Sequence, residues 1–347
     1  MNILEKNIVL TLDFIKKKEQ YKNKKIFITG STGFIGSLLT RTFIKMNEVY
    51  NLNITLIFYV RNKEKFKLMY SKYLKNTKYE IIIGDLSDDI KYDNKIDFIF
   101  HLANNTDSSK MVKYPVETIL TIVEGTKYIL NLAKEKKVMS MVYISSMEVY
   151  GKIYDNSKIT EEKLGELDIL NIRSSYSQGK RTAENLCRCY YEEYDVPVKI
   201  ARLAQVFGPG VPENDNRVFM QFIRSLINKE DIVLHTTGES RGNYCSAIDC
   251  ITAIFTILTM GSNGEAYNVV NENTNMTIKE MAELVANEIS DIKLNVKLNI
   301  NKDINKKYAP KTNLHLSSKK LNDLGWKSTQ NLKQMYIELY KYIVENK

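Results

Sequence analysis

Cysteine and proline are scarce in this chain, four and five in 347 residues. Four cysteines cannot staple a chain of this length, which excludes a disulfide scaffold and makes a reducing cytoplasm the expected compartment. With only 15 glycines as well, collagen-like and Pro/Gly-rich disordered classes are excluded. No apolar run reaches the roughly 18–20 residues that cross a bilayer, so no membrane association is expected. Glu5 and Asp13 interrupt the first apolar stretch and no small-residue cleavage site follows, so no secretory signal is expected. Histidine is down to His101, His235 and His315, far apart in sequence. Cys187 and Cys189 lie two apart on an expected helix and point to different faces; Cys245 and Cys250 have no histidine at ligand spacing. No metal site is expected.

Positive charge is in slight excess, with 50 Lys+Arg against 41 Asp+Glu. The lysines are scattered among Asn, Ile and Tyr rather than gathered in a stripe, which argues against a nucleic-acid partner. The same field draws in a small anionic substrate.

At roughly 100–200 residues per domain, the length suggests two domains or one large α/β domain with an appendage. Ile8, Leu12 and Ile15 recur at helical spacing, so residues 1–23 are expected to form an amphipathic helical extension, docked on the main body or against a partner chain. From Lys24 short apolar runs alternate with helical stretches. Strands are expected at Lys25–Thr29, Ile54–Val60, Tyr79–Ile83, Ile96–Leu102, Val138–Ser145 and Val198–Val206, with helices at Pro115–Glu135 and from Tyr176 to Tyr194. That alternation implies βαβ units and a doubly wound parallel sheet, the Rossmann α/β class, over residues 24–206. Residues 207–347 are less regular, with helices near 217–228 and 279–288 and a strand at Ala266–Val269. They are expected to supply a smaller C-terminal substrate-binding lobe, interleaved with the sheet and lying at its carboxyl edge.

Thr29-Gly30-Ser31-Thr32-Gly33-Phe34-Ile35-Gly36 follows the first strand directly and opens a helix. Gly30 permits a tight turn, Gly33 lets backbone approach a pyrophosphate, and Gly36 allows close packing of helix on sheet. The helix start then offers unpaired N–H groups and a positive dipole end to phosphates. No lysine follows in the Walker position, so this is not an ATPase loop. At the end of the second strand stands Arg61, where an acidic residue would favour NAD; Arg61 suits a ribose 2′-phosphate and tilts the expectation to NADP. Asp85, after the third strand, sits where an adenine amino group can donate to it.

Ser146 and Glu148 follow the fifth strand, at the ligand edge of the sheet. Tyr176 and Lys180 form an i,i+4 pair on one helix face. A phenol of pKa about 10 is a poor base unless a nearby cation favours the phenolate. Lys180 supplies that charge, so Tyr176 can take a proton from a substrate hydroxyl held by Ser146 while hydride leaves to a nicotinamide.

With these motifs in order, the chain resembles the extended short-chain dehydrogenase/reductase family of nucleotide-sugar epimerases and dehydratases. TGSTGFIG, Gly84-Asp85-Leu86, His101-Leu102-Ala103, SSMEVYG, YSQGK, ARLAQVFGPG (201–210) and Leu324-Gly325-Trp326 carry the resemblance from about Lys24 to Lys327. It implies a Ser146–Tyr176–Lys180 triad and a bound, recycled NAD(P) contacted by Gly30, Thr32, Gly33, Phe34, Ile35, Gly36, Arg61, Asp85, Leu86, Leu102, Ala103, Tyr176 and Lys180. It further implies a nucleotide-diphosphate sugar substrate, with Arg241 on the diphosphate and Arg217 near the nucleotide, and a homodimer. The family's dehydratases carry an acid and then a base after the catalytic hydroxyl. Here Glu148 matches the base, but Met147 replaces the acid and a thioether cannot donate a proton. Epimerisation through oxidation at C4 is therefore the first expectation, with 4,6-dehydration or decarboxylation of a nucleotide-uronate through Glu148 as alternatives. Intact Ser146, Tyr176 and Lys180 argue against a catalytically silent NAD(P)-binding scaffold.

Overall fold

The computed structural model describes residues 1–104, 106–155, 157–300 and 312–346, so 301–311 and Lys347 of the expected C-terminal lobe lie outside the described residues. The strands, in chain order, begin with β1 (Lys25–Thr29), β2 (Thr55–Val60), β3 (Lys78–Ile83), β4 (Phe98–His101), β5 (Ser140–Ser146) and β6 (Val198–Leu203). There follow β7 (Gln205–Phe207), β8 (Ile232–Leu234), β9 (Arg241–Ser246), β10 (Ala266–Val269), β11 (Asn271–Thr277) and β12 (Val296–Leu298). Seven of them form one parallel sheet in the order β10-β6-β5-β4-β1-β2-β3. This is the doubly wound Rossmann arrangement, in which strand order reverses between β1 and β4 and a crevice opens at their carboxyl ends.

Both faces of the sheet are buried, which is why its strands read as nearly continuous apolar runs. Successive residues point to opposite sides: Ile26 and Ile28 enter one core with Leu56, Phe58 and Val142, whereas Phe27 enters the other with Ile57, Met141 and Tyr143. Helices α1 (Ile3–Phe14), α2 (Phe34–Tyr50) and α3 (Lys63–Tyr70) cover the first core. After the short α4 (Ser108–Lys113), α5 (Pro115–Glu135) and α6 (Ser174–Tyr194) cover the second. Helix α7 (Val218–Asn228) belongs to a third core, and α8 (Ala247–Met260) returns to the first. Helices α9 (Ile278–Glu288) and α11 (Leu332–Glu345) join α7, with the short α10 (Lys319–Asp323) between them.

Residues 1–23 are built into the first core. Tyr21 is fully buried and meets Phe43, Phe98 and Phe255 edge-on, with centroids 5.6, 5.3 and 5.7 Å away. Helix α1 reaches α11 as well: Asn7 Nδ2 donates to Glu338 Oε2 at 2.7 Å and the Ile3 N–H to Glu345 Oε2 at 3.1 Å. The late Leu-Gly-Trp motif anchors the chain to α8, since Trp326 Nε1 donates to the Asp249 carbonyl and Thr252 Oγ1, while Asp249 accepts from the N–H and hydroxyl of Thr329.

Three departures from the sequence reading have physical causes. The fourth strand stops at His101 instead of Leu102, because the Leu102 and Ala103 N–H groups donate to Thr29 Oγ1 rather than to a neighbouring strand. The sixth strand, expected to run through Val206, breaks at Ala204; β7 then leaves the main sheet to pair with β9, whose other edge takes β11. The chain thus crosses from the seven-stranded sheet to the three-stranded one within one residue. Helix α8 was not expected, because it is apolar on nearly every side and shows no helical period. Its capping serine, Ser246, which accepts from the Asp249 N–H, was the available signal.

Candidate active site

The first βα turn is shaped by close backbone approach. Gly30 has φ +71, and a Cβ there would lie 2.7 Å from the Ala103 nitrogen. A Cβ on Gly36 would lie 2.1 Å from the Gly30 carbonyl oxygen. Gly33 is exposed at the N-terminus of α2, which has no side-chain cap. Thr32, Phe34 and Ile35 are half-buried around it. Thr29 and His101 lock the ends of β1 and β4 together. Thr29 Oγ1 already accepts from two N–H groups at 3.1 Å, so its own proton goes to His101 Nδ1, 2.8 Å away. The imidazole proton therefore sits on Nε2, facing Thr126 Oγ1 at 3.4 Å. Burial, aided by the Lys180 charge, draws His101 down to about 3. It is a neutral structural link.

At the end of β2, Arg61 extends with 77% of its side chain exposed and Asp85 at 3.6 Å. Tyr59 holds the strand-end turn by donating to the Asp85 carbonyl at 2.6 Å, and Leu86 is buried against Gly125.

Strand β5 and helix α6 bring Ser146, Tyr176, Lys180 and Glu148 together. Burial pushes the Tyr176 phenol up, with the Glu148 charge adding to the rise and the neighbouring Ser146 hydroxyl opposing it. Lys180 is fully buried, donates to the Ile144 carbonyl at 2.7 Å and lies 5.8 Å from the Tyr176 ring centroid. Burial draws its ammonium down to about 7, opposed by the Glu184 charge. Glu148 is held by two side chains on one face at the start of α6: Arg173 Nη2 donates to Oε1 at 2.9 Å and Ser177 Oγ to Oε2 at 3.3 Å. Arg181 fixes the same turn by donating to the carbonyls of Val149 and Gly165, both at 2.7 Å. Sequence reasoning missed Arg173 and Ser177. The available signal was their spacing from Tyr176 and Lys180, three residues before each on one helix face.

Arg217 and Arg241 flank β7 rather than this cluster. Arg217 pairs with Asp215, donates to the Val206 carbonyl at 3.2 Å and stacks over Phe219. Arg241 starts β9, whose Tyr244–Ser246 pair with β7, and is engaged by Glu280 at 3.0 Å and by Asn275. Among the described residues no group of His, Cys, Asp and Glu is arranged to hold a metal, and no helix is long and apolar enough to cross a membrane.

Comparison with known proteins bears on this geometry. The sequence profile of the NAD dependent epimerase/dehydratase family matches residues 26–271. A dTDP-D-glucose 4,6-dehydratase of Dictyostelium discoideum is 30% identical over 270 residues, 74% of this chain and 60% of that protein. UDP-glucuronic acid decarboxylase 6 of Arabidopsis thaliana is 30% identical over 264 residues, 76% of this chain and 74% of that protein. Among solved structures, an epimerase of Methanothermobacter thermautotrophicus superposes with a TM-score of 0.77 at 21% identity, covering 96% of each chain.

Proposed function

This chain belongs to the NAD dependent epimerase/dehydratase family, and from that premise we propose that it oxidises C4 of a nucleotide-linked uronic acid and releases the uronate carboxylate as carbon dioxide. The observation that carries the reading is the Arg173–Glu148 ion pair beside Tyr176. A guanidinium in that place suits a substrate carboxylate, and Met147 leaves no proton donor where dehydration would need one. Similarity to a UDP-glucuronic acid decarboxylase supports the same choice.

An oxidised dinucleotide fits the residues present. Gly30 and Gly36 have no room for a Cβ, the start of α2 has no side-chain cap, and the buried Oδ1 of Asn104, just past Ala103, has no partner among the described residues. When bound, the nicotinamide takes hydride from the sugar carbon and returns it later in the cycle. The chain's own groups do the rest. Ser146 holds the C4 oxygen, and Tyr176, as phenolate beside the Lys180 ammonium, removes the hydroxyl proton. The resulting 4-ketone is a β-keto acid, so the C5–C6 bond breaks and its electron pair passes into the C4 enolate as carbon dioxide leaves. Arg173 orients the carboxylate until that step. Glu148, freed from Arg173 by the substrate, returns to C5 a proton drawn from water. Tyr176 gives its proton back to the C4 oxygen as the ketone is reduced. Arg217 and Arg241 are assigned to the nucleotide and diphosphate, and Arg61 to a 2′-phosphate, with NADP favoured over NAD.

C4 epimerisation is the second reading. It is favoured by the engagement of both Glu148 oxygens, which leaves no free carboxylate for chemistry beyond inversion. A homodimer is part of the proposal, with exposed Val116 and Leu120 one turn apart on α5 available to it; light scattering reads the mass. The deciding experiment is mass spectrometry of UDP-, dTDP-, GDP- and CDP-sugars, uronates included, after incubation with the protein and NAD(P). Loss of carbon dioxide from a uronate supports decarboxylation, and an unchanged mass with altered retention supports epimerisation instead. Loss of water from a neutral hexose overturns both.

A further inference from the structure

The mechanism above makes no use of the buried ion pair that lies directly behind Lys180. Glu184, one turn beyond Lys180 on α6, receives the guanidinium of Arg202 from β6 on both carboxylate oxygens, at 2.7–3.1 Å. Each side chain is 9% exposed. Glu184 also accepts from the hydroxyl of Ser145, the residue before Ser146, while Arg202 Nη1 donates to the Tyr150 hydroxyl at 3.0 Å and the Glu161 carbonyl at 2.6 Å. Taking such a pair out of water costs several kcal/mol per ion, and apolar side chains of like volume often serve stability as well or better. Stability alone is a weak reason for it.

Its position gives a better one. The groups facing the Lys180 ammonium are the Ile144 carbonyl and Tyr143 ring from β5, His101 from β4, and Tyr176, Glu184 and Cys187 from α6. In the resting protein His101 is neutral and Tyr143, Tyr176 and Cys187, pushed up by burial, are protonated; Tyr176 becomes the phenolate only in the reacting complex. Of these groups only Glu184 brings negative charge to the ammonium. We infer that Glu184 is a positioning residue: clamped by Arg202 one turn beyond Lys180, it keeps Lys180 charged inside the core and, through Ser145, holds the tip of β5 against α6. The inference rests on the proposed function only in giving the Lys180 charge a part in the reaction.

Burial sets Lys180 near neutrality, at about 7, so loss of the opposing carboxylate lowers its charged fraction where the enzyme works. The test uses the full chain with Glu184→Gln, and with Glu184→Gln combined with Arg202→Met, which removes both charges and leaves neither stranded if the single variant does not fold. The Lys180 titration is followed by NMR of ¹³C-labelled lysine, assigned by its disappearance in Lys180→Met. In both variants it is expected to move down by about one pH unit, carrying the alkaline limb of kcat/KM with it. Glu184→Asp is expected to restore both. An unmoved Lys180 titration in folded variants overturns the inference and leaves the proposed function standing. A moved titration with an unmoved limb overturns the catalytic part given to Lys180, and with it the proposed chemistry at Tyr176.

Discussion

Arg61 shows how far a single position can be read. Its side chain is mostly in solvent, and its partner Asp85 at 3.6 Å is too far for a hydrogen bond, so the guanidinium is free to turn to a phosphate. Replacing Arg61 by alanine is expected to weaken NADP binding about tenfold or more while leaving NAD nearly unchanged, measured by calorimetry with each dinucleotide. The proximity of Tyr176 to Lys180 and of Ser146 to Glu148 was legible because each pair is set by local spacing along one helix or one strand end. Glu184 and Arg202 were not, because their meaning lies in a pairing across 18 residues that no local pattern encodes, and Arg173, though spaced three residues before Tyr176, takes its meaning from Glu148, 25 residues away. His101 was legible as a strand-end residue, but its tautomer follows only from counting the bonds that Thr29 already accepts.

In the proposed function, the start of α2 is the element on which cofactor binding turns. A Gly36→Ala chain must move the Gly30 carbonyl, which a Cβ would approach to 2.1 Å, so the turn that faces the phosphates is displaced. The expected outcome is loss of the thermal stabilisation that NAD or NADP otherwise gives, read by a shift assay with and without dinucleotide. The elements most legible in the sequence were β1, β2 and β5, whose apolar runs report burial on both faces. Helix α8 escaped because the same double burial removes the amphipathic period by which helices are recognised. The break of β6 at Ala204 escaped because Val206 and Phe207 are as apolar as the strand before them, and only the choice of partner strand changes.

Across the whole molecule, pH dependence carries a contribution from a second buried lysine, far from the chemistry. Lys199, at the opposite end of β6 from Leu203, donates to Ser140 Oγ at 2.7 Å, and burial draws its ammonium down to about 8. The unfolded chain keeps that proton to about pH 10.4, so between roughly pH 8 and 10 unfolding takes up a proton and stability rises with pH. Lys199→Met is expected to raise the urea midpoint at pH 7 and to flatten that rise, a comparison made at pH 7 and 9. The first core also depends on residues 1–23: Tyr21→Ala is expected to cost about 3–5 kcal/mol, by analogy with other buried aromatics, in the same urea titration. Because α1 rests on α11, with Asn7 held by Glu338 and the Ile3 N–H by Glu345, a helix made long before α11 has no completed seat until residues 332–345 have been made. During synthesis its apolar face, with Leu4, Ile8 and Leu12, waits for α2 and then α8, and its polar edge waits through more than three hundred peptide bonds for α11. Protease cutting within α1 on stalled nascent chains should cease only once α11 has emerged.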